Sequence, residues 1–600
     1  MFQSDSKNSS SLVGPVGIAR AAIGWSVTAC LAVPWAHALA VPLRQLATAP
    51  SDPATWGLPL TFATLAVTVV AAACSRARPH YLAAWFGAAA AWVVLAVCVP
   101  GSAVPALALF VVGFATAFSS HAIAKRLPAS IDSVARTRRW RAGLWAIAAL
   151  VAVVQLARLS TWMTDPSTDW FLTTEHPFFA KHECLSAYVY GGELALRGEE
   201  NVYDATHYPG LYPEAEPRTE VAHMTVEDPF QYAPQFLLWP AAALVLTHDY
   251  PSIRVVWFAL QTTLFFSVVA WLGIWVGGRA GRMALFLWPL AVSAFPALHA
   301  LQYGQFHLAA IALSVAAMLA FETGRDRVGG AMLSIATLSK LFPGILVVVL
   351  LARRQWRALG WTAGFAALLT ATTLAVFGPA PFLAFVDYQL PRLQSGTAFA
   401  FGEAWPEVRD MVIAANHGVY GLVVKLGEMG VPWADAGAAA WLNRVFLLAV
   451  AGAAWWVGRM GAAHSLDREQ QAVAWLSLLG LGSMASTGAF VDYVPLTATW
   501  MLTLLAWRVP GLIRRRHAVA VAALVVWASQ YTLLGTVPVG DYFEPGVMLP
   551  ASVLSSWMML VLFGVALHRL VWKSVHADAE SFRADRLLEA PVPAYRRGDR

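Results

Sequence analysis

The sequence predicts an all-α polytopic membrane protein, and three observations carry that expectation. Only 13% of its 600 residues are charged and 58% are hydrophobic, whereas soluble domains carry nearer a quarter charged residues. Apolar runs of about 17–25 residues, long enough to cross a hydrocarbon layer of roughly 30 Å as helices, recur along the chain. Arg and Lys gather in the short stretches between the runs, where the positive-inside rule places them.

Taken in order, the runs predict spans near 17–42, 57–74, 81–99, 102–124, 141–160, 253–276, 283–300, 306–323, 358–378, 437–459, 471–489, 494–508, 517–537 and 550–572. That is about 14 transmembrane helices. The N-terminal stretch MFQSDSKNSSSLVGPVGIAR lacks the basic n-region, short apolar region and cleavage site of a signal peptide, so the first span is expected to stay as an anchor. Loops with Arg76 and Arg78, Lys125 to Arg141, Arg279 and Arg282, Arg325 and Arg327, Arg353 to Arg357 and Arg514 to Arg516 are expected in the cytoplasm, as is the tail from Lys573. Residues 161–252, 379–436 and 538–549 then face the other side. This assignment is consistent only if 329–352 is a hairpin of two half-helices, and Lys340, Pro343 and Gly344 interrupt that run at its middle. The run APQFLLWPAAALVL (233–246) is short and broken by proline, and is expected to be re-entrant or interfacial.

Two units emerge. Residues 1–125 form an accessory bundle of four spans with almost no polar content. Residues 141–572 form a core that carries the large outer loop 161–232 and a second outer loop, 379–436. Residues 575–600 read as a disordered cytoplasmic tail.

The formal charge of +6 is explained by loop cations and does not call for a nucleic-acid partner; membrane lipids are the expected surroundings. Cys30, Cys74 and Cys98 fall in apolar spans and only Cys184 lies in a loop, so no disulfide framework is expected. No CxxC or Cys/His zinc spacing occurs, and there is no GxxxxGK[ST], HExxH, DxD or GxSxG. No metal and no cofactor are expected.

The outer loop 161–232 holds the most chemistry. It is rich in Asp and Glu, with Lys181, Arg197 and Arg218 as its fixed cations. Charge alone is equally the mark of an inert solvated loop. The run ECLSAYVYGGELALRGEENVYDATHYPG adds a pattern: an acid, a helix, a stop at Gly198, then a Val-Tyr-Asp strand or turn. FQYAPQFLLWP, LQYGQFHLAAIAL, LSKLFPGILVVVLLARRQW, NHGVYGLVVKL and GSMASTGAFVDYVPLTATW follow in order. Within them, Lys340 sits in an apolar run, where a lysine is costly unless paired or hydrated and is a functional candidate for that reason. A lysine that reaches to an interface at a helix break is the competing account.

This ordered set resembles glycosyltransferase family 87, bacterial membrane proteins of GT-C fold that use polyprenyl-phosphate-linked mannose. The matched features are the acid–Tyr–helix–Gly–Asn-Val-Tyr-Asp block, the Tyr-x-Pro segment, Gly304-Gln305, the Lys-x-x-Pro at 340–343 and the Ser-rich run before a late span. They cover roughly residues 160–500; the first four spans lie outside the resemblance.

The resemblance implies transfer of a sugar, mannose first, from a polyprenyl-phosphate donor to a glycolipid or glycan acceptor of the cell envelope. It places the work at the outer face of a bacterial cytoplasmic membrane. Such transfer needs a base for the acceptor hydroxyl, cations for the leaving phosphate and a polar pocket for the sugar. The family's base is an aspartate in the first outer loop; the nearest acid here is Glu183, a glutamate five residues before Tyr188, with Asp169 next and His182 as an assistant. Lys340 is the phosphate-facing cation, with His417 and Arg392 as further candidates. Gln305 and His307 are placed to bond sugar hydroxyls, or to cap a helix. Tyr188, Tyr190, Tyr203 and Tyr232 are candidates to stack on sugars, although an interfacial aromatic belt accounts for tyrosines without a ligand.

Two other readings compete. A transporter or flippase would show internal repeats and several charges at mid-membrane, whereas here the polar residues concentrate in one outer loop. A polymerase or ligase of lipid-linked saccharides differs from the transferase only in the order of its motifs.

Overall fold

A backbone in hydrocarbon must satisfy its own polar groups, and this chain does so with helices. The computed structural model describes residues 17–46, 119, 122–132, 139–164, 183–463, 466–490, 493–508 and 545–568, and no strand occurs among them. The spans predicted near 57–74, 81–99 and 517–537, most of that at 102–124, and the tail 575–600 lie outside the described residues.

Among the described residues, six helices are long and apolar enough to cross a membrane: α1 (Ile18–Leu46), α2 (Arg139–Met163), α5 (Tyr250–Val276), α12 (Trp356–Phe377), α14 (Ala436–Ala463) and α17 (Pro545–Leu567). The protein is a polytopic membrane protein. Large apolar side chains stand exposed on the outward faces of these helices, among them Leu368 at 59% and Leu448 at 72%. In water such surface is unfavourable; in lipid it is the normal exterior.

Between α2 and α5 lie α3 (Cys184–Leu196) and the short α4 (Leu238–Leu246). The helix α3 ends where the sequence places its stop. The amides of Gly198 and Glu199 reach back to Ala195 and Leu194, with Gly198 at φ +80°. The Val-Tyr-Asp segment that follows is a turn, leading into a 3-10 turn at Ala205–His207 in which the Asp204 side chain accepts from the Thr206 amide. The helix α4 is too short to span, as its sequence predicts, and its end is open: Val245 and Leu246 are 80% and 86% exposed.

The span expected at 283–300 is not one helix. It divides into α6 (Gly278–Phe286), α7 (Trp288–Ser293) and α8 (Phe295–Gln302), and Pro289 and Pro296 stand in the first turns of the last two. Each proline lacks the N–H that would continue the preceding helix. Then α8 meets α9 (Phe306–Glu322) at a bend of 114°. Gly304 makes the bend at φ +61°, and a Cβ there would lie 2.6 Å from that of Leu185.

The run 329–352 breaks where Lys340, Pro343 and Gly344 predict. The helix α10 (Asp326–Ser339) stops with Lys340 in extended conformation, a 3-10 turn covers Phe342–Gly344, and α11 (Ile345–Ala352) resumes. The second outer loop consists of short helical turns, α13 (Val419–Glu428) and the start of α14. Next come α15 (Arg468–Met484), opened by an Asp467–Gln470 capping box, and α16 (Tyr493–Leu505). The core runs through α5, α9, α15 and α16, with Trp475 and Trp500 fully buried in it. The α1 helix joins the same core: it packs on α2 and α5, and the Trp35 indole donates to Thr263 at 2.9 Å.

Candidate active site

The bend at Gly304 determines where Gln305 points. Its Oε1 accepts from the hydroxyls of Tyr188 at 2.9 Å and Tyr232 at 2.7 Å, the two hydroxyls also meet each other, and its Nε2 donates to the Cys184 sulfur at 3.0 Å. This brings α3, the 230–240 segment and α9 together in one buried polar knot. Gly191 and Gly192 allow the approach, since a Cβ on either would lie 2.8 Å or 2.9 Å from Phe230 or Pro240. Tyr203 supports the knot from behind by donating to the Tyr232 carbonyl at 2.9 Å. Burial raises the Tyr203 and Tyr208 hydroxyls well above the usual tyrosine range, so both are hydrogen-bond donors at any working pH. Tyr190 packs edge-on against Tyr208.

One face of the knot opens into a cavity of about 420 Å³. The exposed side of Tyr232 forms one wall, and the Lys340 ammonium sits over its ring, 4.4 Å from the centroid. His307 lines the cavity too, stacked on Phe342 and joined through Nε2 to Ser483 at 3.2 Å. Arg444, in the third turn of α14, lines the same cavity. Its guanidinium makes no hydrogen bond or ion pair among the described residues. Asn443 beside it donates to the Ala485 carbonyl at 2.8 Å, while its buried Oδ1 lacks a partner among those residues. The rest of the wall is largely apolar: Leu338, Leu341, Phe385, Leu390, Leu393 and Leu447. Two cations and no carboxylate line the cavity among the described residues, and an apolar wall runs alongside them. This suits an anion attached to a hydrocarbon chain.

The other residues singled out by sequence lie elsewhere. Glu183 is buried at the start of α3, where its Oε1 faces the Arg254 guanidinium at 3.1 Å and its Oε2 accepts from the Tyr250 hydroxyl. Arg254 also donates to the carbonyls of Met163 and Trp162 and lies over the Trp162 ring, tying α2 to α5. Glu183 is not among the residues lining the cavity. Asp169 and His182 lie outside the described residues. Arg392 donates to the Tyr203 carbonyl at 3.4 Å and stacks on Tyr388, so it braces the first outer loop.

His417 is buried against α17, with Nδ1 at 3.3 Å from the Ser556 hydroxyl. Beside it Lys425, fully buried, donates to Ser552 at 2.6 Å and Ser556 at 3.3 Å. Burial, and then the Lys425 charge, press the His417 imidazole down to about 3, so it is neutral and offers a phosphate no charge. Burial lowers Lys425 from 10.5 to about 7. The unfolded chain therefore binds a proton that the folded chain does not between pH 7 and 10.5, and stability rises with pH across that window. A melting temperature followed over this range is expected to climb by a few degrees, and Lys425→Met to flatten the climb; a parallel slope in the variant would refute this.

Sequence reasoning missed Arg444. Its signal was present: a cation in an apolar run, the same argument that picked out Lys340.

The fold and cavity describe a membrane protein with an internal space lined by two cations beside an apolar wall. The model of glycosyltransferase family 87 matches residues 230–487. The chain is a glycosyltransferase, and that stretch, which holds Lys340, Arg444 and every other residue lining the cavity except Gly488, belongs to glycosyltransferase family 87. No curated protein and no solved structure matches the chain.

Proposed function

We propose that the protein moves a sugar, mannose first among them, from a polyprenyl-phosphate donor to a glycolipid or glycan of the cell envelope. The observation that carries this reading is the cavity lined by both Lys340 and Arg444 beside an apolar wall, with no carboxylate among the described residues. The donor phosphate lies between the two cations, the polyprenyl chain runs along the leucines, and the sugar meets Tyr232, His307 and the Asn443 Oδ1. In the transfer the C1–O bond to the phosphate breaks and a new bond forms from C1 to the acceptor oxygen. The acceptor proton passes to a carboxylate, and the cations hold the charge left on the lipid phosphate.

Glu183 and Asp169 remain the candidates for that carboxylate. With its oxygens facing Arg254 and Tyr250, Glu183 suits an anchoring role, and base duty falls to Asp169. Glu183→Gln separates the two. As base, Glu183 takes transfer away while folding persists; as anchor, it takes thermal stability away while residual transfer remains. The architecture we propose is GT-C-like, with about 14 spans, the four N-terminal ones forming an accessory bundle. Its site opens on the outer face of a bacterial cytoplasmic membrane.

The test is sugar transfer by the purified protein in lipid vesicles, supplied with short-chain polyprenyl-phosphomannose and an envelope glycolipid extract. Transfer supports the reading. No transfer from it or from other polyprenyl-phosphate sugars would overturn the donor assignment. The face is tested separately. Thr206 is exposed in the first outer loop, and a cysteine there is expected to react with an impermeant thiol reagent added to intact cells. Labelling only after permeabilisation would put the site on the other side.

A further inference from the structure

A second cavity, of about 630 Å³, lies in the second outer loop against α13 and the start of α14. It shares Gln394, Phe399, Ala440, Arg444 and Thr487 with the cavity of Lys340, so two molecules seated in the two spaces meet at one wall. The chemistry of the two spaces differs. Where the first is cationic, the second balances Arg409 and Arg444 with Glu403 and Glu428. Arg409 and Glu428 hold each other in a two-pronged pair at 2.9 Å and 2.6 Å. Glu403 is exposed, with its carboxylate in no hydrogen bond or ion pair among the described residues. Phe399, Tyr420 and Phe490 add aromatic faces. A neutral lining of carboxylate, guanidinium and aromatic rings suits a ligand with many hydroxyls and no net charge, and the volume is that of an ordinary ligand site.

We infer that this second cavity is the acceptor site and that it takes an uncharged saccharide headgroup. The inference rests on the first cavity holding the donor. In it the acceptor sugar packs against Phe399 and Tyr420, donates a hydrogen bond from one hydroxyl to the Glu403 carboxylate, and presents its reacting hydroxyl across the shared wall. Glu403 is a specificity residue here, bonding the acceptor away from the bond being made. Gly437 lines this cavity and not the first, so a large side chain there narrows the acceptor space alone.

The test is equilibrium binding to the purified, lipid-reconstituted protein. The saccharide probes are octyl α-mannoside, octyl β-glucoside and free α-mannobiose, and polyprenyl monophosphate is titrated separately. Glu403→Gln and Gly437→Trp are each expected to weaken saccharide binding about tenfold or more while polyprenyl phosphate affinity stays within about twofold. Tighter binding of the octyl glycosides than of mannobiose supports a lipid-borne acceptor, and equal binding supports a free glycan. Saccharide binding unchanged in both variants, absent from the wild type, or competitive with polyprenyl phosphate would overturn the inference. Saccharide binding with the expected losses but no binding of polyprenyl phosphate would leave the acceptor site standing and remove the donor reading instead.

Discussion

Arg444→Ala is expected to lower the rate of sugar transfer from a polyprenyl-phosphate donor by about 10²–10³-fold, the usual effect of removing one preorganised group that stabilises developing charge. The reason is geometric. Arg444 is a guanidinium that lines both cavities and makes no hydrogen bond or ion pair among the described residues, so its charge is available to a substrate. A lipid phosphate gains a full negative charge as the sugar leaves, and a cation fixed beside it acts most strongly at that moment. Lys340→Ala is expected to act in the same direction. The double variant should fall short of the product of the two losses, because both cations serve one phosphate. Steady-state rates over a donor titration, with circular dichroism as a check on folding, measure this; a rate within a few-fold of wild type for Arg444→Ala would contradict it.

Arg254→Ala is expected to destabilise the protein by about 3–5 kcal/mol, the cost of leaving one partner of a buried ion pair alone. Both side chains of the Glu183–Arg254 pair are 6% exposed, so water does little to screen the orphaned carboxylate. The arginine also donates to two carbonyls at the end of α2, and those acceptors would be left unsatisfied. Replacing both residues, as Glu183→Gln with Arg254→Met, should recover part of the loss. Thermal unfolding in detergent or lipid reads both outcomes, and an Arg254→Ala variant as stable as wild type would refute the account.

Much of this architecture was legible in the sequence because it is local. A run of apolar residues signals a helix whatever its neighbours, and the break at Lys340–Pro343–Gly344 and the stop at Gly198 follow from single residues. Tyr188, Tyr232 and Gln305 were each singled out by sequence as sugar contacts, but not as partners of one another. The misplaced span at 283–300 has a simple cause: hydropathy averages across Pro289 and Pro296, which break it. The pairing of Glu183 with Arg254 could not be read, since 71 residues separate them and Arg254 falls inside a predicted span. The same holds for Lys425, which meets Ser552 across 127 residues. Arg444 carried a signal as a cation within a predicted span, but that it lines the cavity depends on how α14 packs.

The most direct test of the central claim is the affinity of the lipid-reconstituted protein for polyprenyl monophosphate compared with the uncharged polyprenol of the same length. With the phosphate held by Lys340 and Arg444, the monophosphate should bind at least about tenfold more tightly, and that preference should vanish in the double alanine variant. Equal binding of the two lipids, or a preference that survives loss of both cations, would show that the cavity does not hold the donor phosphate.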